Sequence, residues 1–503
     1  MSVVTSAAEE GRDTLFGHPR WFTTLFLTDV WERFSFYGMQ AILVLYAVAP
    51  ARDGGLGLPK SQSAMLFGVY LGAVFLLSLP GSWVGDRLIG ERRAVFWGGC
   101  VIALGHFSLA VPARGTSYLG LALVALGTAL LKPNMMAIIS RCYEETARRE
   151  AAISVFYTAT QISALIAPLV TGVLGETVNW HLGFSVAGIG MVAGLVQFAA
   201  GRRHFGDVGD RPGQPVSPAE RRTAARRTLV IALVVVTLIA VDVAAGTFDP
   251  MQLVGVVGVI TLVSPFVYYR VLRRHPDWRP AERRRLRAFL WLLLAVSLFW
   301  TLAGQAGSLL SLFAKNHTDR TFGGVTIPAS WFQSATPLFI LLMAPVCAYL
   351  WLRLGSRLGT PAKFAVALLL GGCGFVVMSV AAGLAGSGRV SPLWLLSVFF
   401  LQACGEIVIG PIAMSAAAEV APKAFVGRTI GLVWLFSALG SALGSQGARL
   451  SDALPGWVYY LSLGAVTVTA GVAITAFGAG LRQTFSASHD YPDRALTGDR
   501  SAL

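Results

Sequence analysis

The sequence predicts an all-α protein that crosses a membrane about fourteen times, as two six-helix bundles with an extra helix pair between them. Three observations predict it. Of 503 residues, 55% are hydrophobic and 13% charged, about half the charge of a soluble domain, and the mean hydropathy is +0.64. Apolar segments of about 20 residues, long enough to span a bilayer, recur from the start of the chain to near Leu481. Arginine and lysine collect in alternate loops, so the net charge of +14 reads as a membrane-orientation signal and not as a nucleic-acid surface.

In order, residues 1–18 are polar, and spans are expected near 20–49, 62–88, 93–113, 116–140, 150–173 and 181–200. The first span is too long and too acidic for a cleaved signal peptide, and further spans follow it. After an arginine-rich stretch come apolar segments near 228–246 and 250–271, joined by a turn containing Gly246 and Pro250. Asp242 is their one deep charge, and the pair is expected to be peripheral packing. Six more spans are expected near 287–315, 329–354, 361–385, 391–419, 424–450 and 455–480. The chain thus divides into bundles at 19–201 and 287–481, a middle region at 202–286, and polar ends at 1–18 and 482–503. Loops after even-numbered core spans hold Arg87, Arg92, Arg93, Arg141, Arg148, Arg149, Arg202 and Arg203. In the second half they hold Arg353, Arg357, Lys363, Lys423 and Arg428. Both termini are therefore expected in the cytoplasm, with the chain in a cell's inner membrane. The five cysteines show no paired spacing and read as small core residues, not as disulfides or metal ligands. No GxxxxGK[ST] loop suggests ATP hydrolysis.

Within the first span, Asp29, Glu32 and Arg33 are spaced i, i+3 and i+4, with Tyr37 one turn on, along one side of a helix. A charge at bilayer depth costs about 2.5–3.5 kcal/mol. Two acids and an arginine are therefore expected to pair and to face a wet interior that handles protons or charged substrate; an ion pair that only fixes packing is the alternative. Gly81, Gly85, Asp86, Arg87 and Gly90 lie between the second and third spans, where glycine permits close helix approach. Asp86 and Arg87 are expected to lock the bundles together until a gate opens. Lys132 and Pro133 follow an uncharged run in the fourth span: the proline bends the helix, and the lysine is expected to face a cavity. Glu406 is a lone acid near the middle of the tenth core span, suited to a proton or a cationic ligand. Trp300 and Trp434 suit packing as well as pocket walls.

Together these motifs resemble the proton-dependent oligopeptide transporter (POT) family of the major facilitator superfamily. Residues Asp29 to Gly38 are similar to its ExxERFxYYG motif, with Asp29 for the first glutamate and Phe36 for the first tyrosine. Lys132, Pro133 and Asn134 resemble its KPN, and Phe156 with Tyr157 opens another signature. Trp180 to Phe184, Ile327 to Ser334, and Gly405 with Glu406 match further motifs. The resemblance implies the major facilitator fold and proton coupling through Asp29, Glu32, Arg33 and Lys132. It implies a substrate site of Arg33, Phe36, Tyr37, Tyr70, Lys132, Gln161, Trp300, Thr336, Glu406 and Trp434. Arg33, Tyr37, Tyr70 and Lys132 would hold a peptide's carboxylate and Glu406 its amino terminus, with the tryptophans as pocket walls. Gating falls to Asp86, Arg87, Pro133 and Gly304. Gln161 and Thr336 stand where the family usually has asparagines. Gly304 stands where it usually has a glutamate that pairs with the fourth-span lysine, so Lys132 is expected to find another partner, bind substrate, or lose its proton.

The expected function is a proton-coupled symporter importing di- or tripeptides by alternating access. It would draw on the proton gradient with no cofactor or metal, as a monomer in the bilayer, without nucleic acid and without enzymatic chemistry. A relative carrying another small, polar or peptide-like compound, inward or outward, and a receptor that only reports ligand remain open.

Overall fold

The computed structural model describes residues 17–143, 145–354 and 359–486; Arg357 and most of the expected polar ends lie outside the described residues. The first half of the chain forms α1 (Arg20–Val48), α2 (Lys60–Val84), α3 (Glu91–Ala110), α4 (Arg114–Cys142), α5 (Thr146–Gly172) and α6 (Trp180–Gly201). The middle pair is α7 (Pro218–Ala244) and α8 (Pro250–Arg273). The second half comprises α9 (Pro280–Ala303), α10 (Leu309–His317), α11 (Ala335–Leu354), α12 (Thr360–Leu384), α13 (Leu393–Val420), α14 (Val426–Gly447), the short α15 (Leu450–Ala453) and α16 (Gly456–Ser486). A small ribbon of β1 (Thr321–Phe322) and β2 (Val325–Thr326) turns through Gly323 and Gly324, both at positive φ as such a tight hairpin requires.

Among the described residues, 13 helices are long and apolar enough to cross a membrane. The 29-residue α1 falls short only through its charged motif and makes the fourteenth. α7 starts at Pro218, earlier than the expected 228, because Ser217 and Glu220 form a capping box ahead of the arginines. The seventh core span, expected as one helix over 287–315, is broken: α9 stops at Ala303 and α10 begins at Leu309. Glycines at 304 and 307 weaken the helix there. Phe67 of α2 occupies the place where a Cβ on Gly307 would lie, 2.2 Å from its ring.

Within each half the packing is extensive, α1 against α5 and α6, α3 against α4, and α12 against α13 and α16. Between the halves, α2 runs along α14, and small residues bring the backbones together: a Cβ on Gly68 would meet the Ser441 carbonyl at 2.8 Å. On the other side, α5 touches the second half through its last turns, while among the described residues no substantial contact joins α4 to α11, α12 or α13. Near Glu176 the two halves are held together by the hydrogen bonds of residues 329–334.

The middle pair splits in behaviour. α8 packs against α2 and α14 as expected, but α7 buries no residue at all. Its apolar side chains point all round, which suits a lipid environment and not a packed face. Asp242 is not deep; it sits near the end of α7, where it accepts a hydrogen bond from the Thr247 hydroxyl. Nor are the cysteines core residues. All five are free, Cys373 exposed and the others half-buried.

Candidate functional site

Asp29, Glu32 and Arg33 are buried in α1, at 0%, 1% and 8% exposure, and they do not share one wet face. They separate into two ion pairs. Arg33 Nε and Nη2 donate to the two carboxylate oxygens of Glu32 at 2.5 and 2.6 Å, a bidentate fork. The same guanidinium lies 4.7 Å from the centre of the Phe36 ring and 6.0 Å from that of Tyr37. Asp29 instead turns to the neighbouring helices. One oxygen accepts from Lys132 Nζ of α4 and the other from Thr160 Oγ1 of α5 at 3.2 Å. The missing counter-charge for Lys132 is therefore Asp29. The Lys132 side chain is 26% exposed while that of Asp29 is 0%, so the cation faces open space with its acid behind it.

Local sequence puts Lys132 there. Pro133 has no N–H, so it leaves the Ala129 carbonyl without its helical donor. That carbonyl lies only 2.1 Å from where a Cβ on Gly81 would sit. Asn134 Nδ2 donates to the carbonyls of Gly81 and Leu130 at 2.9 and 2.6 Å, and Gly85 leaves room for its amide. The lysine-proline-asparagine motif and the glycines of α2 are two sides of one helix contact.

Other predicted residues gather around these pairs. The Tyr70 ring lies 6.2 Å from that of Phe36, and its buried hydroxyl has no hydrogen-bond partner among the described residues. Gln161 is buried on α5, one turn beyond Tyr157. Glu406, on α13, is half-buried, and no hydrogen bond or ion pair to it occurs among the described residues. Thr336, at the start of α11, also has a buried hydroxyl without a partner. Trp300 and Trp434 flank Phe75 of α2, with ring centres 6.2 and 5.7 Å away, the second stacked at 20°. Trp434 keeps 42% exposure, so these tryptophans bridge the halves and still present free surface. Among the described residues, no group of three or more His, Cys, Asp or Glu could hold a metal.

The sequence profile of the POT family matches residues 92–459. A di-/tripeptide transporter of Lactococcus lactis subsp. lactis is 36% identical over 481 residues, 92% of this chain and 95% of the relative. The Bacillus subtilis protein YclF, described as an uncharacterized transporter, is 34% identical over 93% of this chain and 95% of its own length. A crystal structure of the peptide transporter POT in complex with sulfate superposes with a TM-score of 0.90 at 36% identity, covering 94% of this chain and 97% of that one. The chain belongs to the POT family.

For a POT family protein, two details of the gating set differ from expectation. Gly304 does not touch Lys132: a Cβ there would meet the Trp300 carbonyl at 3.2 Å and Ser441 Cα at 3.9 Å. Asp86 and Arg87 are not a lock between the halves. Asp86 accepts from Arg141 Nη2 at 2.9 Å, whereas Arg87 is 3.7 Å away and 38% exposed. Arg141 also lies 2.6 Å from the buried Glu91. Gly90, at φ +85°, turns the chain so that this acid opens α3 beneath the arginine. The lock is thus internal to the first half, tying the loop after α2 to the end of α4. Residues 206–216 strap across it. Arg92 N–H donates to the Gly209 carbonyl at 2.9 Å, Gln214 N–H donates to the Asp86 carbonyl at 3.2 Å, and Arg92 pairs with Asp210 at 2.9 Å. The Arg92 hydrogen bond and charge hold the Asp210 carboxyl below its ordinary range.

Sequence reasoning missed Thr160, Phe75, Glu91 and Glu176 as partners. It used Arg141 only as a loop charge that sets orientation and gave Tyr157 no role. Arg141 and Glu91 carried a readable signal, opposite charges at neighbouring helix ends. Thr160 and Phe75 carried none, because one hydroxyl or ring on a lipid-embedded helix looks like any other.

Proposed function

We propose that this POT family chain is a proton-coupled symporter that imports di- and tripeptides by alternating access, with the proton gradient as its energy source and no cofactor. One arrangement carries the reading. Two cations, Arg33 and Lys132, are each neutralised by an acid in the first half, while an unneutralised acid, Glu406, stands on α13 in the second. A peptide zwitterion matches that polarity. Its ammonium suits Glu406, and its carboxylate suits whichever cation loses its own acid to a proton. Binding at both ends draws the halves together, so ligand favours the occluded state.

The remaining parts fit this cycle. Tyr70 and Thr336 offer unsatisfied hydroxyls to ligand, and Trp300 and Trp434 offer side-chain walls. Residues 19–201 and 287–481 act as the two moving bundles, with 202–286 as linker, in a monomer. Loop charge supports both termini on the cytoplasmic side of a bacterial inner membrane.

Uptake of a radiolabelled dipeptide into proteoliposomes, with and without an inward proton gradient, tests the proposal. Accumulation should require the gradient. Gln161, Thr336 and Gly304 favour a second reading, transport of another small peptide-like zwitterion; gradient-driven uptake that no di- or tripeptide competes for would select it.

A further inference from the structure

The segment Ile327 to Ser334 stood out in the sequence but has no place in the substrate site. In the structure, residues 329–334 form a 3₁₀ turn that runs straight into α11. Its first N–H groups are orphan donors, as at any helix start, and no side chain of its own caps them. The cap comes from the other half of the protein. Glu176, in the π-helical turn that ends α5 (Val173–Val178), accepts from Ala329 N–H at 3.0 Å, from Ser330 N–H at 2.8 Å and from the Ser330 hydroxyl at 2.6 Å.

Three more hydrogen bonds continue the seam. Trp331 Nε1 donates to the Leu169 carbonyl at 3.1 Å, Ser334 Oγ to the Leu165 carbonyl at 2.7 Å, and Gln333 Nε2 to the Ala41 carbonyl at 3.0 Å. All run from residues 329–334 to the first half. The approach is tight: a Cβ on Gly172 would meet Ser330 Oγ at 2.0 Å, so only glycine lets the turn lie this close. Ala329 and Ser330 are both fully buried.

We propose that Glu176 and the turn 329–334 form a latch that closes one end of the pathway, a carboxylate of one half capping a helix start of the other. The latch suits a gate for three reasons. It joins parts that alternating access must separate. Its bonds are polar and directional, so they are lost together over a small displacement, unlike the sliding contact of α2 on α14. The groups it frees are solvated at once, because the turn lies beside the exposed β1–β2 ribbon. When the latch parts, water takes over its donors and acceptor, so opening is not blocked by stranded polar groups.

The inference extends the alternating-access reading, and its test uses no substrate. Spin labels would be placed at Val178 and Val325, both exposed and on opposite sides of the seam, after the native cysteines are replaced. Pulsed electron-electron resonance in nanodiscs then reads their separation. The parent should give one short distance. Glu176→Ala removes three hydrogen bonds to a charged acceptor and should raise the fraction of a longer distance about tenfold or more. Gly172→Val keeps the carboxylate but wedges the seam, and should act in the same direction. An unchanged distribution in Glu176→Ala overturns the latch. Should that variant fail to fold, an unchanged distribution in Gly172→Val does so. A distance change in variants of a protein that takes up no peptide would fault the transport reading and leave the latch standing.

Discussion

Replacing Asp29 by asparagine tests the coupling scheme at the pair the structure makes most specific. Asp29 is fully buried, holds Lys132 and Thr160, and sits behind a lysine whose side chain is 26% exposed. Removing one member of a buried pair costs about 3–5 kcal/mol. Because water in the cavity can recover part of the lysine's solvation, we expect about 2–3 kcal/mol here. A double-mutant cycle of Asp29→Asn with Lys132→Met, read as unfolding free energy in detergent, measures that coupling. Function should change in a matching way. Asparagine mimics the protonated acid and leaves the ammonium free for a ligand carboxylate. Dipeptide binding at neutral pH should then tighten by about one to two decades, the worth of a charge-assisted hydrogen bond. Gradient-driven accumulation should vanish while counterflow persists. A coupling energy below about 0.5 kcal/mol, the level of an exposed pair, or a variant that still accumulates peptide, would refute the reasoning.

Three further outcomes are expected. Since Glu406 has no hydrogen-bond or ion-pair partner among the described residues, N-acetylated dipeptides should compete about 10- to 100-fold less well than free ones; equal competition would remove Glu406 from the proposed amino-terminal site. Tyr70→Phe deletes a buried hydroxyl that has no hydrogen-bond partner among the described residues, so it should raise the unfolding free energy by about 1 kcal/mol while weakening peptide binding; loss of stability would mean the hydroxyl already has a partner. The Asp210 carboxyl is held low by Arg92, so its contribution to the strap over residues 206–216 is present above the ordinary carboxylate range. That contribution is lost as pH falls through the lowered folded value. Protection of the Arg92 and Gln214 amides, taken relative to the intrinsic exchange rate at each pH, should therefore fall below about pH 4, and constant protection down to about pH 3 would contradict it.

What the sequence made legible follows from what a bilayer penalises. A charge among lipid tails is expensive, so Asp29, Glu32, Arg33, Lys132 and Glu406 stood out as candidate site residues before any contact was known. Span positions were readable for the same reason, because a spanning helix must be long and apolar. Pairing was not readable. Periodicity placed Asp29, Glu32 and Arg33 on one side of α1, but only the crossing of α1 with α4 and α5 decides that Asp29 belongs to Lys132 and Thr160. The break after Ala303 escaped notice because Leu302 to Leu312 remains apolar enough to continue a span, and the close approach of Phe67 to Gly307 is a tertiary fact. Arg87 looked like the partner of Asp86 through adjacency; Arg141, 55 residues away in sequence, reaches it better.

Gly304 carries a final consequence through charge counting. The site holds Arg33 and Lys132 against Asp29, Glu32 and Glu406, which leaves one net negative charge when every acid is ionised. A membrane-buried cavity that must rearrange favours neutrality, since net charge is solvated poorly there. A zwitterionic peptide adds no net charge, so one proton neutralises the loaded site and one proton per peptide is expected to cross. Position 304 caps α9 one turn beyond Trp300, and a Cβ there lies 3.2 Å from the Trp300 carbonyl. Gly304→Glu therefore adds an acid one turn from Trp300, with its Cβ close against the Trp300 carbonyl. The loaded site then needs a second proton for neutrality, and the flux ratio should rise from one proton per peptide to two. Measuring the pH gradient and membrane potential at which peptide flux reverses in proteoliposomes gives that ratio for each protein. An identical ratio in the parent and in Gly304→Glu would mean that neutrality of these five groups does not govern the cycle.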